Sequence, residues 1–324
     1  MKKVLKIQVL LSIVIILSFF NFDVSNTEAA YSDNPNGVYH KLSDIVYRAQ
    51  GTASDVTNMQ KRLDDSGFLG APGKYKVIDV IDVDNERNHP MATVAKGSGT
   101  HTLDKTGLKA MAVAIPGSKK LFLVFAGSEN LIDFKTAYVS VSETSPGQSN
   151  QAQLYMNYIY KKFPTYASYN WYLTGHSLGG WVSTKLYLDI RSASWLTSAT
   201  KFKYGGAINK SISGVFTFNT LPISKKNISS EQWNANLNGA YSNAVKNLYI
   251  ANEWLNNTQK IHQNDLAYIG TKGSIDTGVP YTKLITTGIY DTLVTFATYK
   301  TKTSAHSLCS LKNSVTPINK TCNK

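Results

Sequence analysis

One stretch of the chain carries the residue types and spacing of a nucleophilic centre: Trp171-Tyr-Leu-Thr-Gly175-His176-Ser177-Leu178-Gly179-Gly180. It contains Gly-x-Ser-x-Gly, and no other glycine in the chain opens that pattern. An apolar strand precedes the serine and a helical pattern begins at Leu178. A strand-to-helix turn this tight forces the serine into a strained backbone conformation. Gly175 and Gly179 remove the side chains that would collide with strand and helix. The N–H of Leu178, at the helix N-terminus, then points where an oxyanion would form. These are the requirements of acyl transfer, in which a serine hydroxyl attacks a carbonyl carbon.

A serine hydroxyl is a poor nucleophile unless a base takes its proton, and the base needs an orienting carboxylate. Around a strand–Gly-x-Ser-x-Gly–helix turn the chain order is serine, acid, histidine. Two histidines follow Ser177, namely His262 and His306. His262 is followed by a further strand and helix pattern that would be left without a role, which favours His306 in Thr303-Ser-Ala-His-Ser-Leu. His176 is too close to Ser177 to serve as its base and packs under the turn. For the acid, Glu253 stands at the end of the strand-like run Lys246-Asn-Leu-Tyr-Ile-Ala-Asn-Glu253, and Asp265, in Asn264-Asp265-Leu266, is the alternative. No metal or organic cofactor is needed.

These residues need a scaffold, and hydrophobic patterning outlines one. Residues 31–62 read as helical, with a break at Gly51. Strand-like runs are Tyr75–Val83, Lys109–Ile115 and Lys120–Ala126, with a turn at Pro116-Gly117. Gln151–Phe163 reads as a helix, Asn170–Thr174 as a short buried strand, and Leu178–Ile190 as an amphipathic helix. Gly214–Asn219 and Asn247–Ala251 are further strands, and Thr287–Thr298 a last helix. The alternation of apolar strands with helices predicts an α/β fold with a mostly parallel sheet. No linker, repeat or composition shift divides residues 31–324, which predicts one domain.

Gly175-His176-Ser177-Leu178-Gly179-Gly180 resembles the nucleophile elbow of the class 3 lipase family, within the α/β-hydrolase fold. Leu121-Phe-Leu-Val-Phe125-Ala126-Gly127-Ser128 is similar to that family's oxyanion strand, usually F-R-G-T or F-R-G-S, with Ala126 in place of the arginine. Asp133-Phe134 stands where the family often has Asn/Asp-Trp. Thr217-Phe218-Asn219 resembles its T-F-G strand, with Asn219 in place of glycine. The resemblance covers roughly Tyr75 to His306 and implies Ser128 as an oxyanion-hole residue beside the N–H of Leu178. It also implies His306 as the C-terminal catalytic histidine, hydrolysis of lipid esters, and a mobile lid in the segment after Ser128, which reads equally as a fixed strand or helix packed on the sheet. Within that class a phospholipase is an alternative. From a different class, the alternative is a non-catalytic basic protein that keeps the fold and binds the cell envelope.

Composition bounds the setting. The 324 residues are 42% hydrophobic and 17% charged, the balance of a globular chain. Lys2, Lys3 and Lys6, the apolar run Val9–Phe20 and the pair Ala29-Ala30 have the anatomy of a secretory signal peptide over residues 1–30. The formal charge of +13 comes from lysines in runs no longer than two, without the concentrated stripe that nucleic acid would require. It fits a solvated surface or attraction to an anionic membrane or cell wall. In an exported protein the two cysteines, Cys309 and Cys322, are expected to form a disulfide closing a short loop after His306.

Overall fold

The computed structural model describes residues 35–52, 55–65, 72–86, 88–91, 103, 105–127, 147–191, 212–250 and 265–275. In chain order the elements are α1 (Pro35–Ile45), a 3-10 turn at Val46–Arg48, α2 (Asp55–Asp65), β1 (Lys76–Asp82), β2 (Lys109–Ile115), β3 (Lys120–Phe125) and α3 (Gly147–Lys162). They continue with β4 (Asn170–His176), α4 (Leu178–Arg191), β5 (Ile212–Phe218), β6 (Ile223–Ser224), α5 (Ser230–Leu237), β7 (Val245–Ile250), β8 (Leu266–Ala267) and β9 (Thr271–Ile275). The expected helix at Thr287–Thr298 lies outside the described residues.

Among the described residues, seven strands form one sheet in the order β1-β2-β3-β4-β5-β7-β9. β1–β2 and β2–β3 pair antiparallel; β3–β4, β4–β5, β5–β7 and β7–β9 pair parallel. The sheet is therefore mostly parallel, and helices cover both of its faces. That is why β2 and β3 are continuous apolar runs instead of alternating ones: both rows of side chains are buried. β2, Lys-Ala-Met-Ala-Val-Ala-Ile, is buried at every position after the first.

Side-chain alternation assigns the two faces. Phe122, Tyr172 and Phe216 meet α1 through Tyr39, whose ring stacks on Phe216 at 5.2 Å and meets Phe122 edge-on at 5.4 Å. Ser43 of α1 adds a hydroxyl pairing with Thr174 at 3.1 Å, and Thr174 Oγ1 donates to the carbonyl of Phe216 at 2.7 Å. On the other face Leu121, Leu123, Trp171, Leu173 and Val215 join the core cluster that contains Tyr155 of α3 and Trp181, Val182 and Leu186 of α4. There the small Ala110, Ala112 and Ala114 pair with the large Phe125, Leu123 and Leu121, so that the summed bulk stays even across the strands.

Two helices differ from the sequence expectation. α3 starts at Gly147, four residues before the expected Gln151, because its first turn is polar yet buried: Gln148 is 1% exposed and its Nε2 donates to the carbonyl of Thr106 at 2.8 Å. α4 is not amphipathic. Every described side chain from Leu178 to Ile190 is buried except Asp189. It is walled in by the sheet on one side and by α3 and α5 elsewhere, where Gln153 donates to Asp189 at 2.6 Å and Gln232 to the carbonyl of Leu188 at 2.9 Å. Its polar residues are satisfied internally: Ser183 and Thr184 donate to the carbonyls of Gly179 and Gly180, and Lys185 pairs with Asp189.

Tyr39 is the aromatic key between α1 and the sheet. Tyr39→Ala is expected to cost about 2–3 kcal/mol of stability, the lower part of the range for aromatic truncation because the residue is only half-buried. Chemical denaturation followed by tryptophan fluorescence measures it, and a midpoint equal to wild type would show that α1 docks by other contacts.

Candidate active site

β4 brings the chain to Ser177 at the carboxyl edge of the parallel strands, where open α/β sheets bind their ligands. The register sets His176 beside Phe218 of β5, and Phe218 beside Leu248 of β7. At Ser177 the backbone turns left-handed, with φ 55°, and α4 starts at the next residue. A residue with a Cβ adopts that conformation only at a cost of about 1–3 kcal/mol, so its surroundings must hold it. The N–H of Ser177 donates to the carbonyl of Phe218 at 3.0 Å. Its carbonyl accepts from Gly180 at 3.1 Å, Trp181 at 3.2 Å and Leu221 at 3.4 Å.

The glycines allow this compression. A Cβ on Gly175 would stand 2.5 Å from the carbonyl oxygen of Gly179 and 2.7 Å from that of Phe125. One on Gly179 would stand 2.7 Å from the carbonyl of Ala126. Strand–helix clearance is one reason for these glycines, and the end of β3 is a second wall. Asn219, where the resemblance leads one to expect glycine, has φ 40°. Asparagine is among the few non-glycine residues that tolerate the left-handed region, so the exchange keeps the turn. Ala126, in place of arginine, is buried, 5% exposed.

The field at the serine favours an anion. Because Gly180 and Trp181 take the first helical bonds to Ser177, the N–H groups of Leu178 and Gly179 have no carbonyl within the helix to donate to. No acidic residue stands in the first turn of α4, so the positive end of the helix dipole is not neutralised from within it. Leu178 itself is fully buried, which keeps water from competing on its side.

His176 is 7% exposed, and its Nδ1 lies 2.8 Å from the hydroxyl of Tyr47. The same hydroxyl accepts the N–H of Gly127 at 2.9 Å. Tyr47 belongs to the 3-10 turn after α1, and nothing in the sequence singled it out: an aromatic at a helical repeat position reads as core.

Asp265 is exposed, just before β8, and its main-chain carbonyl accepts from Lys225 at 2.7 Å, tying β8 to β6. β7 ends at Ile250, on the same edge of the sheet as Ser177. Glu253 follows three residues later and lies outside the described residues. So do Ser128, the segment after it where a lid is expected, His262, His306, Cys309 and Cys322. Among the described residues, no group of three or more His, Cys, Asp or Glu side chains gathers as metal ligands would.

A strand–serine–helix elbow at the carboxyl edge of a mostly parallel sheet, with helices on both faces, is the α/β-hydrolase arrangement. No family model and no curated protein matches the chain. Among solved structures it is similar to a fungal lipase in complex with an inhibitor, at 14% identity over 74% of this chain and 78% of that one, TM-score 0.46. It is similar to a triacylglycerol lipase described as having a serine protease triad, at 14% identity over 86% and 91%, TM-score 0.44. A lipase of Yarrowia lipolytica is similar at 15% identity over 78% and 84%, TM-score 0.42.

The close approaches around the elbow yield a paired test. Gly175→Ala forces backbone against backbone and is expected to destabilise by about 1–3 kcal/mol or more. Gly117→Ala, where a Cβ would meet nothing within 4 Å, is expected to be neutral or slightly stabilising. Equal midpoints for the two variants in denaturant melts would contradict the packing described.

Proposed function

We propose that the protein is a secreted serine hydrolase that cleaves carboxylic esters of lipids through an acyl-enzyme on Ser177. The observation that carries this reading is the elbow: a buried serine held at φ 55° on the first turn of a helix whose leading N–H groups lack helical acceptors. A structural serine in a strand–helix turn needs neither the strain nor the free donors. Strain of this kind persists where the surrounding structure over-determines it, and it clusters at reactive sites.

In the proposed cycle Ser177 Oγ attacks the ester carbonyl carbon while His306 takes the hydroxyl proton. The carbonyl oxygen becomes an oxyanion that accepts from the N–H of Leu178 and from Ser128. Collapse of the intermediate expels the alcohol, which receives the proton from His306. Water, deprotonated by the same histidine, then attacks the acyl-enzyme; the acid leaves and Ser177 regains its proton. Glu253 orients His306 and stabilises its charged form, with Asp265 the alternative. Residues 1–30 direct export, residues 31–324 form the hydrolase domain, and the surplus of lysine draws the protein toward anionic membrane or wall surfaces.

Hydrolysis of p-nitrophenyl esters from acetate to palmitate, with and without lipid micelles, tests the reading and defines the acyl range. Ser177→Ala is expected to lower turnover by several orders of magnitude while leaving a folded protein, and to abolish labelling by a fluorophosphonate. Retention of a tenth of wild-type turnover would sink the mechanism. For the acid, Glu253→Gln is expected to cost about 10³–10⁴-fold in kcat and Asp265→Asn little. The opposite ranking makes Asp265 the triad acid.

A further inference from the structure

We infer that Tyr47 is a positioning residue for the oxyanion site, an inference that rests on the hydrolase reading of Ser177. Its hydroxyl joins two segments that no local sequence rule connects. The N–H of Gly127, at the end of β3, donates to Tyr47 Oη at 2.9 Å, and Oη lies 2.8 Å from Nδ1 of His176, the residue before the nucleophile. The phenol oxygen accepts from Gly127, and across the contact with Nδ1 either group can be the donor, depending on the imidazole tautomer.

The clamp sits where the two halves of an oxyanion hole must be brought to a fixed separation. A Cβ on Gly127 would stand 2.9 Å from Cβ of Ser177 and 2.7 Å from the carbonyl oxygen of His176, and would also run into Tyr47 Oη. Residue 127 is thus pressed directly against the elbow, and its peptide link leads into Ser128, whose N–H is the second donor in the proposed cycle. Tyr47 is itself anchored. Lys109 Nζ donates to its main-chain carbonyl at 3.3 Å and pairs with Asp82 at 3.4 Å, while the carbonyl of Lys109 accepts from Ala126 at 3.0 Å. One residue of β2 therefore holds both the clamp and the strand end that the clamp grips. An oxyanion hole acts through donors pre-set to a few tenths of an ångström, so a bond fixing Gly127 to the elbow bears on turnover more than on substrate binding.

Tyr47→Phe removes Oη and keeps the ring. On the full-length secreted protein with p-nitrophenyl butyrate, kcat is expected to fall about 10–100-fold, less than the loss of an oxyanion donor itself, with KM within about twofold and the thermal midpoint lowered by only a few degrees. Amide hydrogen exchange provides a reading independent of activity: the Gly127 N–H is expected to exchange at least tenfold faster in Tyr47→Phe. A wild-type-like kcat, or an unchanged exchange rate at Gly127, overturns the inference while leaving Ser177 as nucleophile. Failure of the wild type to react with a fluorophosphonate at Ser177 overturns the hydrolase reading and the catalytic consequence with it, and the exchange rate then decides whether the clamp exists at all.

Discussion

The left-handed backbone at Ser177 is the constraint around which the described part of the molecule is organised. A side chain in that region is disfavoured by about 1–2 kcal/mol, and nothing in a Gly-His-Ser-Leu-Gly peptide would hold it there. What holds it is a set of main-chain bonds from three separate places: the end of β5, the first turn of α4, and Leu221 beyond β5. The arrangement exists only when β4, β5 and α4 are packed together, so the reactive geometry is a property of the folded state.

Packing that tightly requires backbone to approach backbone. The carbonyls of Phe125 and Ala126 lie where side chains at 175 and 179 would go, and Thr220 lies where one at Gly180 would. Each glycine therefore answers to a different neighbour. The same crowding explains why α4 is buried on nearly all sides. A helix pressed onto the sheet at its first turn is then covered by α3 and α5 along its length, and its Ser, Thr and Lys side chains bond within the helix, while the buried Trp181 Nε1 is left without a partner.

Further along the sheet, polar groups do related work. Thr217 Oγ1 donates to Asn247 Oδ1 at 2.7 Å, and Asn247 Nδ2 reaches the carbonyls of Ile269 at 2.7 Å and Thr271 at 3.0 Å. This buried chain links β5, β7 and the start of β9, with the donors and acceptors matched. Hydrogen bonds in such surroundings are directional and costly to leave unmade, so they hold the parallel strands in register next to the elbow. On the opposite face the Ser43–Thr174–Phe216 chain does the same for α1 and β4.

The amino-acid sequence by itself determined β1 to β5, β7 and the elbow, but not β6, β8 or the edge strand β9. β2 and β3 were legible to within a residue because strands buried on both faces must be continuous apolar runs bounded by turns, and that signal is local. Gly175, Ser177 and Gly179 were legible because strand-to-helix clearance is set by residues adjacent in the chain. Tertiary structure alone decided the rest. The first turn of α3 is polar, and its burial against Thr106 has no hydrophobic periodicity to announce it. α4 was read as amphipathic from its polar residues, but those residues bond to one another and to α3 inside the core. The left-handed φ of Asn219 depends on its place at the end of β5, and Tyr47 lies about 130 residues before the histidine it meets. A hydrogen bond between segments so far apart depends on where the fold brings two side chains, and no spacing within either segment encodes it.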